Sequence, residues 1–294
     1  MPRICYIEKN FTAKSETLIA TANDIIREYQ AQGFTLTLRQ LYYQFVARDM
    51  LENKQRNYAK LGSVINNARL AGRIDWHSII DRTRFLRANT HWNSPSEILR
   101  ASADGYRIDK WARQPCRIDV WIEKDALVGV IERVCRDLDV PHFACRGYNS
   151  QSEMWRASQR MITYATNEQR VIILHLGDHD PSGIDMTRDT IDRLRMFTNN
   201  SVTVRRIALN MSQVEEHSPP PNFAKLSDSR AESYIEEFGY NSWELDALEP
   251  SMIESLIREH VERERDQDLW DEAVEEEDEV KERLTAVADE WEDD

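Results

Sequence analysis

The sequence predicts an α/β fold with an α-rich N-terminal part, and three observations carry that expectation. Apolar residues recur at helical spacing through the first 70 residues. Short β-rich runs alternate with amphipathic stretches from about residue 118, and the net charge changes sign along the 294-residue chain. Residues 1–119 carry a formal charge of +7, residues 120–244 carry −5 and residues 245–294 carry −16. The overall charge of −14 therefore arises late in the chain, and a basic N-terminal module remains a candidate for binding phosphate. Apolar residues make up 41% of the chain, enough for a core, yet no apolar run approaches the roughly 20 residues that span a bilayer. The segment Met1 to Lys9 has no hydrophobic stretch of signal-peptide type. Cys5, Cys116, Cys135 and Cys145 form no C-x-x-C pair, which argues against a zinc knuckle and for reduced thiols in a cytoplasmic, nucleoid-associated protein.

Lys14 to Gln32 places Leu18, Ile19, Ala22, Ile25, Ile26 and Tyr29 on one helical face, and Gly33 closes it. Thr37 is positioned to cap a second helix, Leu38 to Leu51, and a third runs from Tyr58 to about Leu70. Ile74-Asp75-Trp76 and the run from Ile79 to Arg84 read as hairpin material. Helix, turn, helix and wing outline a winged helix-turn-helix over residues 1–90, although an ordinary three-helix bundle has the same helical pattern. Residues 91–117 read as a connector. Strands are then expected at 118–122, 142–145, 171–176 and 202–209, with helices at 127–138, 153–164 and 185–197 between them. Such alternation implies a parallel sheet covered on both faces, with sites at the strands' carboxyl ends. This domain, with a helical extension after Pro219-Pro220-Pro221, is expected to cover 118–262, and 263–294 to be an acidic, solvated tail or helix.

Asp178 and Asp180 follow an apolar strand, and alternate residues at a strand end point the same way. Glu123 ends the first strand of the same domain, so three hard oxygen donors could share Mg²⁺ or Mn²⁺. Surface acids at loop starts would look the same. His179 lies between the two aspartates on the opposite face and is not read as a ligand.

Trp121-Ile122-Glu123-Lys124-Asp125-Ala126, followed by Gly177-Asp178-His179-Asp180-Pro181-Ser182-Gly183, resembles the Toprim domain of type IIB topoisomerase A subunits. That family, which includes the topoisomerase VI A subunit, also includes the meiotic double-strand-break transesterases. Gly147-Tyr148 falls where the family has a glycine turn. The resemblance implies a CAP-like winged helix joined to a Rossmann-like Toprim sheet, with Glu123, Asp178 and Asp180 holding the metal. A second match is Thr37-Leu38-Arg39-Gln40-Leu41-Tyr42-Tyr43, similar to the family's catalytic helix, and it implies Tyr43 as the nucleophile. Arg39 lies one helical turn before Tyr43 and could grip the phosphate beside it. Core packing of both tyrosines is the competing reading, and Tyr42 is expected to face inward.

The implied activity is Mg²⁺-dependent cleavage of double-stranded DNA through a 5′-phosphotyrosyl link, by a homodimer in which one protomer's tyrosine meets the other's acids. Hydrolysis by a metal-bound water, as in Toprim nucleases, and non-catalytic DNA binding are the alternatives. Lys60, Asn66, Asn67, Arg69 and Arg73 on or beside the third helix, Arg82 and Arg84 at the wing, and Lys124 are the candidate DNA contacts, with solvated surface charge as the competing reading. The chain looks like the compact stand-alone Mini-A forms of the family and has no recognisable ATPase segment, which leaves that function to a separate partner and strand passage in doubt.

Overall fold

The computed structural model describes residues 3–80, 89–225 and 227–291. Thr12 caps α1 (Ala13–Ala31) by accepting from the Ser15 N–H at 3.3 Å. Thr37 and Gln40 form a reciprocal capping box that starts α2 (Leu38–Ala47). Gly33, at φ +82°, makes the turn between these helices, a conformation that costs a glycine little. With α3 (Gln55–Leu70), the two helices enclose a core of Ile25, Tyr29, Leu36, Leu41, Phe45, Leu61 and Ile65. The expected helix spacing is thus realised. The wing is not seen among the described residues. Residues 71–80 form turns with two isolated bridges, Cys5 to Ala71 and Leu36 to Ile79, because Ile74 and Ile79 are drawn into the helical core. Arg82 and Arg84 lie outside the described residues.

The stretch read as a connector contains α4 (Pro95–Gly105), capped by Ser94. Beyond it, strands and helices alternate as expected: β1 (Cys116–Ile122), α5 (Val128–Asp137), β2 (His142–Ala144), α6 (Gln151–Thr166), β3 (Arg170–Leu176), α7 (Pro181–Thr198) and β4 (Val202–Ala208). The four strands form a parallel sheet in the order β2-β1-β3-β4. Alternation along the strands divides the core in two. Ile118, Val120, Ile122, Ile172 and Leu174 pack against Val130, Ile131, Val134 and Ile257 on one face; Trp121, Val171 and Ile173 meet Met154, Met161 and Leu194 on the other.

After α8 (Met211–His217), the chain makes a short antiparallel ribbon of β5 (Asn222–Phe223) and β6 (Asn241–Ser242), with α9 (Ala231–Phe238) between its strands. Backbone hydrogen bonds in both directions between His179 and Trp243, at 2.8 and 2.9 Å, tie this ribbon to the loop after β3. α10 (Pro250–Glu264) and α11 (Gln267–Asp289) close the fold. The acidic segment is therefore a docked helix, not a solvated tail. α11 packs along α4, and Trp270 enters the sheet core edge-on to Trp111. Glu277 is 3% exposed and pairs with Lys110 at 2.5 Å and Lys281 at 2.6 Å. No described helix is long and apolar enough to cross a membrane.

Candidate active site

The register of β1 and β3 brings the first two acids together. Ile122 pairs with Leu176, so the chains leave the sheet side by side, and Glu123 Oε2 accepts the Asp178 N–H at 2.9 Å. Gly177 lets Glu123 approach, since a Cβ there would stand 3.0 Å from that oxygen. Asp180 caps α7, its Oδ1 accepting from the Gly183 N–H at 2.6 Å and from the Ser182 hydroxyl at 2.9 Å. A Cβ on Gly183 would fall 2.2 Å from the Asp178 carbonyl oxygen, so the Asp-Pro-Ser-Gly turn requires glycine there. His179 is buried and bonds the Tyr234 hydroxyl at 2.8 Å; burial holds its pKa down at about 4.

These acids share their surroundings with three cations. Lys124 Nζ lies 3.0 Å from Asp178, 2.8 Å from Glu244 and 2.7 Å from Asp246. Arg39 pairs with Glu244 and lies 2.9 Å from Asp246. Arg206 donates to the carbonyls of Asp178 at 2.6 Å and Gly177 at 3.0 Å, and burial lowers its pKa to about 10 against the attraction of Glu123, Asp178 and Asp180. Five carboxylates (Glu123, Asp178, Asp180, Glu244, Asp246) are gathered around these three cations. Burial pushes Asp178 up to about 7 despite Lys124, with the charges of Glu123 and Asp246 adding to the rise, and burial also raises Glu123. Glu244 is the opposite case: burial works against its ionised form, but Lys124 and Arg39 hold it down at about 2.

Tyr43 reaches the same place from α2. Its ring lies 5.8 Å from the Arg39 guanidinium, and its side chain lies within electrostatic reach of Glu244 and Asp246. It is 4% exposed, and burial, reinforced by Asp246 and Glu244, raises its pKa well above the ordinary phenol value. Tyr42 faces inward as expected, its hydroxyl accepting the Lys54 N–H at 2.8 Å and fixing the turn into α3. Arg39, Tyr43, Lys124, Asp178, Asp180 and Glu244 line one cleft of about 450 Å³. Tyr43 and the aspartates thus meet within a single chain, whereas the resemblance implies a tyrosine facing the acids of a partner protomer. Glu123 stands behind them, opening on a neighbouring crevice beside Cys145 and His175. Among the described residues, no three His, Cys, Asp or Glu side chains stand ready-formed to coordinate a metal, because Asp180 is turned to α7 and Lys124 occupies Asp178.

The candidate DNA contacts on α3 are distributed differently. Arg69 donates to the Trp76 carbonyl at 2.8 Å and stacks on its indole, Asn67 accepts from Lys9, and Arg73 forms a two-pronged pair with Glu16. Lys60 and Asn66 are exposed, and neither lines the cleft. Instead the cleft's outer cations are Lys54 and Lys225, which the sequence reading passed over, as it did Glu244, Asp246, Asn222 and Arg206. The one local signal was the alternating acid pair Glu244-Leu245-Asp246 after a short extended run. No protein-family model and no curated protein matches the chain.

Proposed function

We propose that this protein is a metal-assisted DNA transesterase with Tyr43 as its nucleophile. One observation carries the reading: a tyrosine on α2 and two aspartates about 135 residues later open onto the same cleft, between an arginine and a lysine suited to grip a phosphodiester. In this reading α1–α3 are the winged-helix-like module and the four-stranded sheet is Toprim-like. Arg39 and Lys124 orient the phosphate. The Tyr43 oxygen bonds to phosphorus as its proton is released, and the bond from phosphorus to the 3′ oxygen breaks. That oxygen takes up a proton, leaving a 5′-phosphotyrosyl end and a 3′-hydroxyl.

Glu123, Asp178 and Asp180 would hold Mg²⁺ or Mn²⁺. The donor set is oxygen only, and two of its carboxyls are raised by burial, a strain that such a cation relieves. When bound, the cation supplies positive charge to the phosphate and the leaving oxygen. Two copies, each cutting one strand, make a double-strand break.

The burial and raised pKa of Tyr43 favour a second reading, hydrolysis by water with the tyrosine as a packing residue. Incubation with plasmid DNA and Mg²⁺ or Mn²⁺, followed by denaturation, distinguishes the two. The parent should yield DNA covalently attached to protein, and Tyr43→Phe should lose cleavage and adduct together. Cleavage that persists in Tyr43→Phe without an adduct would establish the hydrolase.

A further inference from the structure

The phosphate-gripping pair of the cleft already has an anionic occupant. Glu244 Oε2 lies 2.8 Å from Lys124 Nζ and also receives the Arg39 guanidinium, and Oε1 accepts from Asn222 Nδ2 at 3.0 Å. Two cations and an amide converging on two oxygens of one anion are the donors that a phosphodiester would need. We infer that Glu244 is the resting occupant of a phosphate subsite formed by Arg39, Lys124 and Asn222, and that nucleic acid enters the cleft by exchanging its phosphate for that carboxylate. The inference rests on the proposed function for the identity of the incoming ligand.

Three features make Glu244 the exchangeable group. Asp246 touches the same two cations, yet its side chain is 2% exposed and does not line the cleft, whereas Glu244 is 22% exposed and does. When Glu244 swings out, Arg39 keeps Asp246, and Lys124 keeps Asp246 and Asp178, so neither cation is left buried and unpaired. The flanking backbone is held by the His179–Trp243 pair and by Leu245 N–H donating to Asp178 Oδ1 at 2.7 Å, so the exchange takes a side-chain rotation and not a movement of the ribbon. A phosphodiester carries the same single charge as the carboxylate it replaces.

The test is binding by the full chain in EDTA, where no cleavage occurs, read by the anisotropy of a fluorescent DNA duplex across a salt series. Glu244→Gln keeps the shape and removes the competing charge. It should tighten binding about tenfold, as expected for removing a tethered competitor, and steepen the log–log salt slope by about 0.9, one added phosphate contact. Adding Arg39→Gln to Glu244→Gln should abolish the gain. In parallel, inorganic phosphate should raise the melting temperature of Glu244→Gln more than that of the parent. If Glu244→Gln does not fold, Glu244→Ala, which also removes the carboxylate, should show the same gain. Unchanged or weaker binding of both DNA and phosphate by a folded variant overturns the inference. A gain for phosphate with no DNA binding by either protein upholds the subsite and removes nucleic acid as its ligand.

Discussion

Two of the buried acidic centres among the described residues, around Glu277 and around Asp178, are built to opposite ends. On α11, Glu277 is enclosed by Lys110, Lys281 and Arg107 and accepts the Ile108 N–H, and these partners outweigh burial and hold it down at about 2. At the end of β3, Asp178 lies deeper among protein atoms than Glu277, shares Lys124 with Glu244 and Asp246, and is pushed up to about 7. The count of acids is far higher in the C-terminal segment, yet Glu277, the acid that α11 buries, is answered locally by Lys110 and Lys281. At the sheet edge folding leaves Glu123 and Asp178 as carboxylates that a further cation would relieve. Carboxylates of that kind mark a site better than acid content does.

The largest effect expected from this contrast is on activity. Asp178→Asn should lower metal-dependent adduct formation by about a thousandfold, the scale for losing a group that stabilises transition-state charge. Glu277→Gln should leave the yield per folded molecule unchanged. Equal losses in the two variants would erase the distinction. On stability the order reverses. Glu277→Gln strips the nearly buried Lys110 of its carboxylate and should cost about 3 kcal/mol in urea unfolding, whereas Asp178→Asn should stabilise the metal-free protein at pH 8.

The pH profiles sharpen the same comparison. Because Asp178 is raised, the folded state keeps a proton that the unfolded chain has released. Stability is therefore lost as pH climbs from about 4 to about 7, by up to about 4 kcal/mol at 1.36 kcal/mol per pH unit. Glu277 is lowered, so its contribution is present above its ordinary value of 4.5 and disappears as pH falls toward about 2. Thermal melts from pH 2 to 8 should show Asp178→Asn flattening the upper window and Glu277→Gln the lower one. Mg²⁺ should raise the parent's melting temperature at pH 8 and not at pH 5. Equal Mg²⁺ stabilisation of Asp178→Asn would argue against the metal site.

The smallest effect belongs to the helical module, where charges are paired at the surface. The Arg73–Glu16 pair joins two half-exposed side chains. A double-mutant cycle should return about 0.5 kcal/mol, reduced by salt. A coupling several times larger would give this pair a structural importance that its exposure does not suggest.

Most of the secondary structure was legible in the sequence because helix and strand periodicities are local. The faces of α1 and α2, the Thr37 cap and the β-α alternation of residues 116–208 each express neighbours within a few positions. The short strings Glu123-Lys124 and Asp178-His179-Asp180 likewise mark strand ends without any knowledge of the fold. What surrounds those strings is not local. Glu244 and Asp246 reach Lys124 across about 120 residues, and no spacing rule links them. Composition alone described the last 30 residues as solvated, but a helix is placed by the face it buries, and Trp270 and Glu277 found partners in Trp111 and Lys110. The extended reading of residues 74–80 lost to the same force, since Ile74 and Ile79 gain more in the helical core than in a hairpin. The sequence by itself determined which segments could be helices and strands and which short strings were candidates for a site. Only tertiary packing decided which charges meet, because pairing and burial depend on distances in space that the order of residues does not contain.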